Sequence, residues 1–280
     1  YALIETGASI KTALNAVYTR GKFVVAYNAA GEADILGGAV SSTSGLIADR
    51  SNAVGKVTVD NGGSWEMTNE MYLAKESGAS AALVINDGRV SAGSFVSIGE
   101  LGGDTVTANV TLNGGGLYGG GALYVGRGGN GSLTLNSGTV SFRDIEVGNE
   151  NRPVDGYETY GSGEGAMTLN GGEVAASGLF TIGKAAKSGT VILKNSAVVT
   201  ADTVKVGDGS EGLLEIAGDG VSMRNLAQTG LTAITGGNSA GTVRFSHGGM
   251  LDFQNTISGA NLKVEHTGSG RTVFHGASAH

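Results

Sequence analysis

One pattern recurs along the chain and leaves few folds open to it. An apolar-x-apolar pair is followed five residues later by a third apolar position, and seven or eight residues after that by an apolar residue that usually precedes Gly. The clearest copies run through Val110/Leu112, Leu117 and Val125-Gly126, through Leu133/Leu135, Val140 and Val147-Gly148, and through Met167/Leu169, Val174 and Ile182-Gly183. Leu83/Ile85 with Val90 and Ile98-Gly99, and Val191/Leu193 with Val198 and Val206-Gly207, flank these, and weaker copies start at Ala33/Ile35, Val57/Val59, Leu214/Ile216 and Val243/Phe245. In the Val57/Val59 copy Trp65 takes the third place, one residue late. Most copies follow one another after 23 to 27 residues, and a single step, from Leu135 to Leu169, is 34.

Within a copy, apolar residues alternate with small or polar ones over short runs, the period of half-buried strands rather than helices. Asn, Gly, Asp and Ser separate the runs, as tight corners require. One copy cannot bury its own apolar row, but copies stacked every ~4.8 Å hydrogen-bond strand to strand and close a continuous core. The fold expected is all-β: a right-handed parallel β-helix, a β-solenoid of about 23 to 27 residues per rung. A rung of 23 residues has a perimeter of about 75 Å, enough for a three-sided coil, and nine rungs give a rod of about 43 Å.

Residues 33–256 form the expected rungs, with a loop insertion at 149–164. Residues 1–32 are a cap or first coil, in which Phe23, Val25 and Tyr27 form a further turn. The composition agrees: 51 Gly with one Pro and no Cys excludes collagen, disulfide scaffolds and Pro-rich linkers. A net charge of -7 argues against nucleic acid as a partner. Asn86, Asn113, Asn136 and Asn170 fall in one register after the first strand, with Asp60 and Lys194 at equivalent places, and read as a structural ladder of residues that tolerate left-handed backbone and can hydrogen-bond between stacked rungs.

These segments resemble the passenger regions of bacterial autotransporters, the type V secretion family, of the pertactin-like β-helix adhesin kind. The resemblance is carried by Gly131-Ser-Leu-Thr-Leu-Asn-Ser-Gly-Thr-Val140, by Gly165-Ala-Met-Thr-Leu-Asn-Gly-Gly-Glu-Val174 and by the Ile/Val-Gly closures, over most of residues 33 to 216. The stretch 257–280, with Ile257-Ser-Gly-Ala-Asn-Leu-Lys-Val and Thr267-Gly-Ser-Gly-Arg-Thr-Val-Phe-His-Gly-Ala, is similar to the start of that family's passenger-associated repeat. The resemblance implies a fragment of a protein displayed at, or released from, a bacterial cell surface, with a signal peptide and an outer-membrane barrel lying outside this stretch. It also implies secretion through a narrow pore, with which the lack of Cys and scarcity of Pro are consistent.

Enzymatic motifs fare poorly. Gly126, Gly128 and Gly131 match Gly-x-Gly-x-x-Gly, but the strand-forming Leu133-Thr-Leu135 follows where a dinucleotide site needs a helix N-terminus. Gly207-Asp208-Gly209-Ser210 departs from a serine-protease motif, and all four His (His247, His266, His275, His280) lie in the last 34 residues. Asp144 and Glu146 project from one strand, yet neighbouring rungs place no acid in their columns, so solvated carboxylates are the simpler reading. No cofactor and no metal site is expected.

Two features read as binding surface. The 149–164 insertion carries the sole proline, Pro153, with Tyr157, Glu158 and Tyr160, and insertions in solenoids project as loops from one face. On the third strand of each rung, the columns Glu70/Phe95/Ala122/Asp144/Leu179 and Tyr72/Ser97/Tyr124/Glu146/Thr181 stack, so that Tyr72, Phe95, Tyr124 and Leu179 make an apolar-aromatic stripe. An outward column of Thr58, Thr111, Thr134 and Thr168 is accounted for by strand preference. The function expected is a non-enzymatic adhesin or self-association module. Its partners would be host extracellular matrix, a cell-surface glycan or protein, or a neighbouring copy, with a membrane reached only through the barrel. The alternatives are a β-helix polysaccharide lyase or hydrolase and an inert spacer stalk.

Overall fold

The computed structural model describes residues 21–149, 163–185 and 187–275, together with the strands Ala2–Ile4, Ser9–Thr12, Ala16–Tyr18 and Ser278–Ala279. Among them there is no helix. The chain winds into a parallel β-solenoid of about 10 turns with about 25 residues per rung. Each rung gives one strand to each of three sheets, as Gly129–Leu135, Thr139–Phe142 and Asp144–Asn149 do. The first sheet has 11 strands, the second 9 and the third 12. Each strand pairs in parallel with its counterpart one rung on, as in Leu133 with Met167, Val140 with Val174 and Ile145 with Phe180.

The apolar positions of the repeat point inward and stack by kind. Ile35, Val59, Ile85, Leu112, Leu135, Leu169, Leu193 and Ile216 stand one above the next, all buried. Val40, Trp65, Val90, Leu117, Val140 and Val174 do the same in the second sheet. Trp65 keeps register although its strand starts one residue late, because Asn61 and Gly62, both at positive φ, take up the extra residue in the turn. Its ring meets Phe23 edge to face at 5.3 Å, and its indole N-H donates to the Ser42 hydroxyl at 3.3 Å.

The corner after the third strand has one backbone conformation in rung after rung. Gly99, Gly126, Gly148, Gly183 and Gly207 hold φ between 72° and 78°, which costs Gly nothing. In the first coils Ala26, Ala48 and Ala74 adopt the same left-handed conformation, with φ of 64°, 59° and 51°. The repeat therefore imposes the corner even on residues that resist it. The asparagine ladder forms through the expected hydrogen bonds between stacked rungs, although its asparagines keep ordinary φ rather than the left-handed conformation. The bonds make a one-way chain of amides: Asn170 donates to Asn136 at 2.7 Å, Asn136 to Asn113 at 2.7 Å, Asn113 to Asn86 at 2.9 Å, and Asn86 to the Asp60 carboxylate at 3.2 Å. At the upper end the side chain of Asn195, not Lys194, reaches the Asn170 carbonyl.

Ala2–Ile4, Ser9–Thr12 and Ala16–Tyr18 pair with the strands of the following coil, and Leu262–His266 and Arg271–Phe274 continue the stack at the other end. The second sheet is interrupted once. It ends at Ser222–Arg224, and Met250–Phe253 and Arg271–Phe274 form a separate two-stranded sheet. Buried Asn255 bridges the gap, donating to the carbonyls of Met223 and Thr232 at 2.9 Å each.

Candidate functional site

The third sheet carries the candidate face, and its columns are in the register that the repeat dictates. Tyr72 pairs with Ser97, Ser97 with Tyr124, Tyr124 with Glu146 and Glu146 with Thr181. Three rings link across the rungs: Tyr72 and Phe95 meet edge to face at 5.3 Å, and Phe95 and Tyr124 at 5.9 Å. All three are half-buried. The stripe does not run on to Leu179, because Asp144 and Glu146 occupy the intervening rung. Leu179 itself is 56% exposed, and its backbone N-H donates to Asp144 at 2.9 Å. Ser97 and Thr181 face outward by register yet are covered.

The rings are capped by cations. Lys75 lies 5.4 Å from the centre of the Tyr72 ring, and the Arg127 guanidinium lies 4.5 Å from Tyr124 and 5.4 Å from Phe95. Stacking of this kind holds a guanidinium in place while leaving its edge free to pair. Here the edge meets buried Glu100 at 3.1 Å, and Glu100 also accepts from the Ser97 hydroxyl.

Sequence reasoning overlooked the residues that cap the face, although the repeat contains their signal. They are the residues directly after each left-handed corner: Asp49, Lys75, Glu100, Arg127, Asn149, Lys184 and Asp208 follow Ala48, Ala74, Gly99, Gly126, Gly148, Gly183 and Gly207. Their charges alternate along the axis, with pairs Lys75–Asp49 at 3.9 Å, Arg127–Glu100 at 3.1 Å and Lys184–Asp208 at 3.1 Å. Asn149 breaks the alternation, at the residue from which the insertion departs.

Beside this break is an open groove of about 650 Å³ lined by Tyr124, Arg127, Glu146, Asn149, Lys184, Asp208 and Asn238. Burial pushes the Glu146 carboxyl above its ordinary value, against the pull of Lys184 and Arg127, and the Asn149 amide donates to it. Burial also raises the Tyr124 phenol. Asp208 is drawn the other way: burial opposes its ionisation, but Lys205 and Lys184 outweigh burial and hold it low. Asp144 is held low by Leu179 N-H and by Arg143, again against burial, and it does not line the groove. The groove thus offers two cations and two carboxylates of unequal basicity next to an aromatic ladder.

Of the residues expected to bind, Tyr72, Phe95 and Tyr124 are brought together here. Pro153, Tyr157, Glu158 and Tyr160 lie outside the described residues. The Gly126–Gly131 string is a corner leading into the strand Gly129–Leu135, and the Thr column is real but interrupted by Val84 between Thr58 and Thr111. Among the described residues no group of three or more His, Asp or Glu that could hold a metal ion is found. Comparisons with protein-family models, with curated proteins and with solved structures find no match for this chain.

Proposed function

We propose that the chain is a non-enzymatic adhesin rod of the autotransporter passenger type, displayed at or released from a bacterial surface. It engages host matrix, a cell-surface glycan or protein, or a neighbouring copy. The observation that carries the reading is the Tyr72–Phe95–Tyr124 ladder with its stacked cations, bordering an open groove at the root of the insertion. Rings with preset cations supply contact area and polar contacts at low entropic cost, which suits recognition of a surface. The passenger assignment rests on the repeat and on the parallel solenoid it builds.

The test is adhesion and aggregation of bacteria displaying the chain. Tyr124→Ala combined with Phe95→Ala, and separately deletion of residues 150–162, are expected to reduce adhesion or aggregation at unchanged surface level. Unchanged adhesion and aggregation in both would favour a spacer. New reducing ends or unsaturated products from a polysaccharide panel, abolished by Glu146→Gln, would favour the enzyme.

A further inference from the structure

The second sheet has a groove of its own, of about 590 Å³, on a face that shares no residue with the one above. Its outward column is Ser41, Glu66, Ser91, Tyr118 and Ser141, in register over five adjacent strands. That is about 19 Å along the axis at ~4.8 Å per strand. Ala92, Gly93, Gly119 and Gly120 give it a low floor.

Arg89, Glu66, Ser91 and Ser141 present polar groups to this groove. Tyr118 lies down along its strand, over Gly116, where a Cβ would run into the ring. The Arg89 guanidinium stacks on that ring at 4.0 Å, which fixes its direction. None of the Arg89 N-H groups is hydrogen-bonded within the described residues. Exposed Glu66 makes no hydrogen bond or ion pair with them either, and the Ser91 and Ser141 hydroxyls are likewise without partners among them.

We infer that this groove binds a neutral oligosaccharide. A fixed guanidinium, an open carboxylate and a row of hydroxyls are the donors and acceptors that sugar hydroxyls satisfy, and the volume falls in the ordinary range for ligand sites. A peptide adding itself as a strand finds no partner there, because strands on both sides already pair the backbone of this sheet. An acidic chain would meet Glu66, and a basic one Arg89.

The experiment is titration of the full chain with neutral hexasaccharides of glucose, mannose and galactose, followed by calorimetry and by ligand-observed NMR. At least one is expected to bind. Glu66→Ala and Arg89→Ala should each weaken it about tenfold, equivalent to ~1.4 kcal/mol. Ser91→Trp, which fills the groove, should abolish it, and Tyr124→Ala on the other face should leave it unchanged. All four positions are outward, and matching thermal melts show that each variant folds. The proposal is overturned if no neutral hexasaccharide binds, if binding survives Ser91→Trp, if Tyr124→Ala removes it equally, or if only an acidic oligosaccharide or a peptide binds.

Discussion

Trp65 fills the space that Gly45 leaves empty. Gly45 stands on the inward column of the third sheet between Phe23 and Met71, the one place there without a side chain, and a Cβ would sit 2.6 Å from the Trp65 ring and 2.5 Å from the Met67 sulfur. Gly45→Ala should therefore destabilise the rod by about 1–3 kcal/mol through overpacking. Trp65→Ala should cost about 3–5 kcal/mol. Combining Gly45→Ala with Trp65→Phe, which makes room, should cost less than the sum of Gly45→Ala and Trp65→Phe made singly. Chemical denaturation of the parent, these two single variants and the double variant gives the coupling; strict additivity would show that the two sites do not share one space.

The left-handed corner predicts an asymmetric response to a single methyl group. Gly207 has φ of 76°, and a Cβ there would lie 2.6 Å from the carbonyl oxygens of Ala240 and Ser239. Gly207→Ala should lose at least ~1–2 kcal/mol, the intrinsic cost of left-handed backbone for an L-residue. The thermal midpoint of the variant checks this.

The amide ladder should behave as a relay of modest bonds. Asn136 donates to Asn113 and accepts from Asn170, at an exposed corner. Asn136→Ala removes both bonds and should cost ~1–2 kcal/mol, since water partly replaces them. Slowed or unchanged exchange of the neighbouring corner amides would contradict the ladder's role.

Two carboxylates should give opposite pH responses. The Thr200 hydroxyl, and after it Arg224, hold Glu173 below its unfolded value despite burial. Its stabilisation is present above the unfolded carboxylate range and is lost as pH falls through the lower folded value. Glu173→Gln should thus lower the midpoint at pH 7, by less than ~1 kcal/mol because the site is screened, and converge with the parent in acid. Burial holds Glu146 above its unfolded value, so its contribution is favourable below the unfolded range and is lost as pH rises through the raised folded value. Glu146→Gln should be the more stable protein at neutral pH, with the difference vanishing in acid. Calorimetric scans at both pH values decide each case.

The repeat made the strands, their register and the inward columns legible, because period-2 alternation is written residue by residue and parallel stacking needs nothing else. It also placed Tyr72, Phe95 and Tyr124 on one face. What it did not disclose is set by side-chain packing between rungs. Arg127 folds over two rings and onto Glu100, Tyr118 lies down over Gly116, and Gly45 is small because of a tryptophan twenty residues on. The corner residues were counted as turn, yet each is as regular a column as any in the core. The interruption after Arg224 has no counterpart in the apolar pattern, since Met223 and Phe253 both satisfy it while their strands part.

That interruption gives the rod a mechanical address. Among the described residues neighbouring rungs are elsewhere joined by three ladders of backbone bonds, but between Arg224 and Met250 one ladder is missing and only side chains span it, Asn255 donating to the carbonyls of Met223 and Thr232 and Asp219 accepting from the Gly249 N-H at 3.1 Å. A rod pulled from its two ends would yield first at this joint. The rungs before it would hold, so the second-sheet groove, which lies wholly among those rungs, would keep its shape while the far end gives way.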